Sequence, residues 1–288
     1  MVEYDYPELF EEHESVHFVI VNSGASVTSV TEDEPIITDN DFLITENEMK
    51  QEAFSLTESL CSLDNLLFGQ GESSHVSFTI YNSSDIPNLK DEEITVYLYF
   101  NEDSDTLFRV GTYIVKEDKY SADRAFRDIS GYDILNLLWD YDITEWYNST
   151  YATYGTSSIG NLRSRLFTWL STQDDLDDYT VLQETVTLEN DSYLVEKGIE
   201  SDNITFGFFM QRLMELNGVF IHVGRDGVIH YIQVAWYDSE PVKVFTEEDI
   251  FPPVKYEDYN VYGIAFVDVW DKYNRSRSEE RRVGKECR

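Results

Sequence analysis

The chain has 288 residues, 42% of them apolar and 15% aromatic, and carries 56 Asp and Glu against 21 Lys and Arg, a formal charge of −35. This is enough apolar material for packed cores and excludes a disordered chain. The charge excludes a protein whose main task is to grip nucleic-acid phosphates, because that needs Lys and Arg to displace counterions.

The first 50 residues are acidic and mixed. Ser15 to Val21 reads as a strand, Ile36-Ile37 and Phe42 to Ile44 as shorter apolar patches, and Thr31 to Pro35 as a loop. From Ser74 to Tyr81 the alternation is clean, with Val76, Phe78 and Ile80 on one face, as expected of a half-buried strand. Ile94 to Phe100 and Leu107 to Val115 read as a hairpin around Asn101-Glu-Asp-Ser-Asp105, with Val96, Leu98 and Phe100, or their alternates, against the return strand. Ser130-Gly131-Tyr132 reads as a strand-to-helix junction at which the glycine relieves a tight turn. Asp133 to Trp139 reads as a short helix. Ser157 or Ser158 caps a second, with Ile159, Leu162, Leu166, Trp169 and Leu170 at helical spacing. Tyr179 to Leu188 returns to strand pattern. Thr205 caps a third helix with Phe206, Phe209, Met210 and Leu213 inward, ended by Asn217-Gly218. Val219 to Val223 and Val228 to Ile232 form a hairpin around Gly224-Arg-Asp-Gly227, and Val261 to Val269 reads as a last strand. Strands, then helices mixed with strands, then strands again describe an α+β chain. The segments are a β-rich region 1–120, an α/β region 121–218 with three short helices, a β-rich region 219–274, and a distinct tail 275–288.

That tail, Arg275 to Arg288, carries six basic and three acidic residues. It resembles the translation of sequencing-adapter or vector read-through, and on that reading the natural frame continues beyond it. No run approaches the roughly 18 apolar residues of a membrane helix. The acidic start, Met1-Val-Glu-Tyr-Asp-Tyr6, lacks the basic and apolar regions of a signal peptide. The two cysteines, Cys61 and Cys287, make no disulfide framework or metal cluster. Cys61 reads as a small buried hydrophobe or a free thiol.

Chemistry is sparse in the pattern. Carboxylates are so many that no pair stands out as the acid and base of a glycosidase. Asn101 to Asp105 alternates oxygen ligands, but an EF-hand loop needs Gly at its sixth place and Glu at its twelfth, where this chain has Thr106 and Thr112. Asp174-Asp-Leu-Asp-Asp178 reads as a solvated acidic loop. His222 and His230 sit opposite each other if the hairpin loop has three residues and Gly227 is left-handed, without a third zinc ligand nearby. Their closeness would lower one pKa and make a mildly acid-sensitive spot. Gly69-Gln-Gly71 is too short for a dinucleotide turn, and no Walker, Gly-x-Ser-x-Gly or His-Glu-x-x-His motif occurs. No catalytic, cofactor-binding or metal-binding residue is assigned, and no cofactor is expected.

One pattern is more specific. Phe54 to Gly69 reads Phe-Ser-Leu-Thr-Glu-Ser-Leu-Cys-Ser-Leu-Asp-Asn-Leu-Leu-Phe-Gly. Leu107 to Val115 follows, then Ser121-Ala-Asp-Arg124 and Asp128 to Leu135, then Glu145-Trp-Tyr-Asn148; Gly218 to Tyr231 also fits. Taken in order, over roughly residues 36 to 270, these words resemble the N-terminal part of a phage tail protein, the baseplate hub or tail-associated protein of Gram-positive siphophages and their prophages. The resemblance implies β-barrel-type hub domains with an α/β insertion of short helices, and a mechanical role. Such a protein closes the tail tube and anchors receptor-binding or wall-degrading domains downstream. It implies a homotrimer whose partners are the distal tail protein and the tape-measure and tail-tube proteins. It implies a virion protein of the tail tip, assembled in the host cytoplasm, with no enzymatic activity, no specific nucleic-acid binding and no membrane insertion. A tail-associated lysin with its hydrolase downstream, or a free-standing glycan-binding β-protein, are the alternative expectations. The acidic charge reads first as a solubilising surface; on the hub resemblance, an acidic lumen would also let DNA pass without sticking.

Overall fold

The structure is a computed structural model that describes residues 16–22, 25–31, 34–38, 42–50, 53–60, 68–100, 103–154, 156–196 and 202–233. All lie in the first of two units, Met1–Ala235 and Trp236–Arg288. Cys61, Cys287, the strand expected at Val261 to Val269 and the tail from Arg275 lie outside the described residues.

In chain order the strands of the first half are β1 (Val16–Asn22), β2 (Ser26–Thr31), β3 (Glu34–Thr38), β4 (Leu43–Ile44), β5 (Ser55–Thr57), β6 (His75–Tyr81), β7 (Glu93–Phe100), β8 (Asp103–Tyr120) and β9 (Phe126–Tyr132). Seven of them form one antiparallel sheet in the order β4-β1-β7-β8-β9-β6-β5. Its outer strands β4 and β5 do not pair with each other, so the sheet is open and not closed into a barrel. The fold is α+β, with an open sheet where barrel-type domains were expected. Strands β2 and β3 form a separate hairpin in which Thr31 pairs with Glu34 and Val30 with Pro35. The segment expected to be a loop is therefore largely the end of two strands; Pro35 is tolerated because the hairpin is all edge.

The period-2 pattern of β6 places Val76, Phe78 and Ile80 in a core with Ile94 and Val96 of β7 and Val110 and Val115 of β8. Ile44 of β4 and Phe42, Met49, Ile86 and Leu89 of the connections close this core. Each fully buried aliphatic or aromatic side chain here contributes about 1.5–3 kcal/mol. The alternate residues of β7, Tyr97 and Tyr99, pack with Val19, Val21 and Ala25 in a smaller cluster.

The second half holds helices α1 (Ile134–Trp139), α2 (Thr144–Tyr154), α3 (Ile159–Leu170) and α4 (Phe206–Asn217), a short two-stranded pair β10 (Thr156–Ser158) and β11 (Leu194–Glu196), and the hairpin β12 (Val219–Val223) and β13 (Ile229–Gln233). Ser158 and Thr205 cap α3 and α4 as expected, and Gly218 ends α4 at φ +67°. Helices and hairpin share one core, to which the sheet contributes Ile114. Helix α2 was not anticipated. Its sequence, Thr-Glu-Trp-Tyr-Asn-Ser-Thr-Tyr-Ala-Thr-Tyr, has residues of modest helix propensity and no clear apolar stripe. It forms because Trp146 is buried against Trp169 and Phe209.

Tyr179 to Leu188 is extended but is not a strand. It meets β13 through two backbone bonds at one point, Ile229 N to Leu182 O and Glu184 N to Ile229 O, both 2.9 Å. Beyond it the Glu184 carboxylate takes the Tyr231 amide at 2.7 Å, a side chain replacing the next rung of the ladder. Among the described residues, no helix is long and apolar enough to cross a membrane.

Candidate functional site

Several buried polar groups lie where the sheet meets the helical layer. Asp133 sits between β9 and α1, 2% exposed, and caps the helix by accepting from Leu135 N at 3.0 Å. The same carboxylate accepts from Ser74 N at 2.6 Å and Ser73 Oγ at 2.7 Å. Burial pushes its pKa up, and these hydrogen bonds oppose that shift. Burial also raises the neighbouring Tyr113 hydroxyl, with the charges of Glu58 and Asp133 adding to it. Glu58, Ser74, Tyr113, Asp133 and Gly224 line a void of about 10 Å³.

Two strands away, Glu93 of β7 accepts from Thr180 N at 3.2 Å and Thr180 Oγ1 at 3.3 Å. Thr95 and Thr112 face each other at 3.3 Å, and Arg109 donates to Thr112. Glu93, Arg109, Thr112, Thr180, Val223 and Gly227 border a second void of about 10 Å³. A volume of this size holds about one water, whereas small-molecule sites occupy roughly 300–1,000 Å³. Neither void is a substrate pocket.

The hairpin follows its expected geometry. Gly224 N bonds Val228 O at 2.8 Å, leaving Arg225-Asp226-Gly227 as a three-residue loop with Gly227 at φ +78°. His222 pairs with His230 in register. The His230 ring lies between two carboxylates, with Nδ1 3.1 Å from Glu184 and Nε2 3.1 Å from Asp226. The His222 pKa is lowered, chiefly by burial; Glu58 opposes this, and His230 lowers it further as a lesser cause. The acid-sensitive spot thus owes more to desolvation than to the proximity of two imidazoles. Among the described residues, no three His, Cys, Asp or Glu are placed to hold a metal ion.

The acidic loops differ. Asp174 to Leu176 makes a short 3-10 turn, and Asp175 accepts from the Tyr141 hydroxyl at 2.8 Å. Burial, then Asp175, push that phenol up to about 12. Of the Asn101 to Asp105 run, Asp103 to Asp105 belong to β8 and the first two residues lie outside the described ones.

Two buried arginines escaped sequence reasoning. Arg127, on β9, is 1% exposed. It pairs with Asp118 and donates to the carbonyls of Ile86 and Pro87, pinning the β6–β7 connection beneath the sheet. Asp118 in turn accepts from Leu89 N at 2.9 Å. Arg163, on α3, donates to Asp191 at 2.8 Å and Val186 O at 2.7 Å, with its guanidinium 4.5 Å from the Tyr231 ring. The hydrogen-bonded partners lie 23 to 41 residues away in sequence for every bond but those to Asp118, so no local pattern announces them.

The glycines of Gly69-Gln-Gly71 mark close contact. Gly69 has φ +80°, and a Cβ there would lie 2.2 Å from the Gln211 carbonyl oxygen of α4. At Gly71 it would lie 2.8 Å from Leu135 Cδ2 and 2.9 Å from Ile221 O. Gly131 does not relieve a turn as expected. It lies within β9, and a Cβ there would meet Ile114 O at 2.9 Å.

No family model matches the chain, and no curated protein matches it. Solved structures that it resembles include the 43 kDa tail protein of prophage MuSo2 from Shewanella oneidensis, at TM-score 0.44 and 15% identity over 77% of this chain and 56% of that one. A tail protein from Neisseria meningitidis MC58 gives 0.41 and 15% over 78% and 53%. A prophage tail protein from Listeria monocytogenes EGD-e gives 0.37 and 12% over 75% and 50%. The chain spans about half the length of each of these structures.

Proposed function

We propose that this chain is a structural component of a phage or prophage tail, and within the tail a part of the baseplate hub. The observation that carries the reading is where the ordered words of the sequence fall. Gly69, Ile114 of the Leu107 to Val115 run, and Asp133 with Ile134 and Leu135 at the end of the Asp128 to Leu135 run lie where the sheet meets the helical layer. Trp146 sits in the helical core. Part of the pattern that resembles the tail family thus lies in the interior and at the junction of this fold.

On this reading the chain acts mechanically, in the virion. It closes the tail tube as a homotrimer, contacts distal tail and tape-measure proteins, and carries receptor-binding or wall-degrading parts. Its acidic charge keeps a passing duplex from sticking. The test is mass measurement at roughly 0.5 M salt, where the Debye length falls to a few Å and like-charged subunits no longer repel. A trimer is expected to gain over the low-salt state. A stable dimer would sink the hub reading, because a two-fold pair cannot close a tube. Purified protein should also leave bacterial cell walls intact; cleavage lost on mutating one acidic residue would overturn the mechanical reading.

A further inference from the structure

The junction between sheet and helical layer is built differently on its two sides. On the β6 side it is stitched mainly by backbone. Gly69 N bonds Val219 O at 2.7 Å, Ile221 N bonds Gln70 O at 3.0 Å, Asp133 N bonds Ser74 O at 3.1 Å, and the Asp133 carboxylate accepts from Ser74 N at 2.6 Å. The close approach at Gly69 and Gly71 leaves no room for even a methyl group.

Three strand spacings away, about 14 Å, the β7 side has side-chain contacts instead. Thr180 reaches Glu93 at 3.2 and 3.3 Å, and the Tyr179 hydroxyl reaches Asp91 O at 3.3 Å. Arg109 leaves its buried Nε without a partner, and the void it borders has room for a water. The segment bearing Tyr179 and Thr180 is tied to β13, so it belongs to the helical body and not to the sheet. Between the two sides, the sheet gives the helical core Ile114.

We propose that the helices and the β12–β13 hairpin form one rigid lid, hinged along Gly69–Ser74 and Asp133, that lifts from the sheet at Thr180–Glu93. The energetics favour this line of opening. Lifting the β7 edge exchanges a few long polar contacts for water, at little net cost per hydrogen bond, and uncovers part of the Ile114 contact with the helical core, so the open form is the minor one. Opening the β6 edge would break backbone bonds between groups packed too tightly to admit water. The motion uncovers Glu93, Arg109 and Thr112 as one polar platform. It is a hinge closure of few contacts, and it stands whether or not the chain belongs to a tail.

Paired spin labels on the full chain test it, in a Cys61→Ser, Cys287→Ser background. Lys90→Cys with Asp178→Cys spans the mouth, and Ser84→Cys with Asp177→Cys is a second mouth pair should the first disturb folding. Glu72→Cys with Leu216→Cys spans the hinge, and Arg212→Cys with Ile232→Cys lies within the lid. The expected result is a second, longer distance for the mouth pairs and one narrow distance for the hinge and lid pairs. Adding an oxidised Glu93→Cys, Thr180→Cys bridge should collapse the mouth pairs to the shorter distance. A single narrow mouth distance without the bridge would overturn the proposal. So would broadening of the lid pair, which would mean that the helical body unfolds instead of swinging.

Discussion

Replacing Arg127 by Met tests how much of the sheet's far side depends on one buried cation. The guanidinium fills its site at 1% exposure and satisfies the Asp118 carboxylate and two backbone carbonyls. Met matches the stem but supplies no donor. Asp118, whose side chain is 2% exposed, is then a buried charge held by the Leu89 amide, and the carbonyls of Ile86 and Pro87 lose a partner. Breaking one side of such a pair costs about 3–5 kcal/mol, a large part of a total of roughly 5–15 kcal/mol. At about 2–4 °C per kcal/mol for a domain of this size, the melting temperature should drop by about 6–20 °C. The damage should be local first. Lys90 lies on the pinned connection, so trypsin should cut after it sooner in Arg127→Met than in wild type. Arg127→Met with Asp118→Leu removes both charges and should cost less than the sum of the two single changes, by about 1–3 kcal/mol of coupling. A melting shift under about 2 °C for Arg127→Met, with unchanged cleavage at Lys90, would show that the clamp is ornamental and refute the reasoning.

Gly69→Ala should destabilise by more than about 2 kcal/mol, since the left-handed backbone alone costs about 1–2 kcal/mol and the methyl meets the Gln211 carbonyl; the urea midpoint checks it. Asp133→Ala loses a helix cap and orphans the Ser74 amide, about 2–4 kcal/mol together. Asp133→Asn keeps an acceptor and should lose clearly less, so equal losses in a urea titration would count against the capping role. His222 has a folded-state pKa below its ordinary 6.5, because burial disfavours the cation. Its contribution is therefore intact above 6.5 and is lost as pH falls through the folded pKa, since the unfolded chain binds the proton more readily. Urea midpoints from roughly pH 7.5 down to 5.0 should fall less steeply in His222→Leu than in wild type.

Elements whose signals are local could be read from the sequence. The alternation of β6, the caps Ser158 and Thr205, the Gly218 stop and the three-residue hairpin loop each depend on residues within one or two turns of chain. What escaped depends on partners far away. Helix α2 is helical because of burial of Trp146 against α3 and α4, and its own sequence argues weakly for any state. Tyr179 to Leu188 alternates like a strand, yet Glu184 spends its carboxylate on the Tyr231 amide and His230, so one bridge is all the pairing that results. Gly131 looked like a turn residue because a strand ends beside it. Its role is set by the Ile114 carbonyl of the neighbouring strand, which no single-strand reading contains.

The distribution of charge adds a constraint of its own. In a chain at −35, cations are scarce, and a surface ion pair adds about 0–1 kcal/mol. Arg127 and Arg163 are nevertheless held inside, where each meets a carboxylate and one or two main-chain carbonyls. Burying a cation is costly unless every donor is well used, so these positions are not explained by a need for net attraction. They are explained by geometry. Each clamp fastens a long connection, 82–92 or 183–191, against the element it crosses. A protein this acidic needs connections that keep their shape under the repulsion of its own like charges, and a buried arginine supplies that shape from within, where salt screens it least.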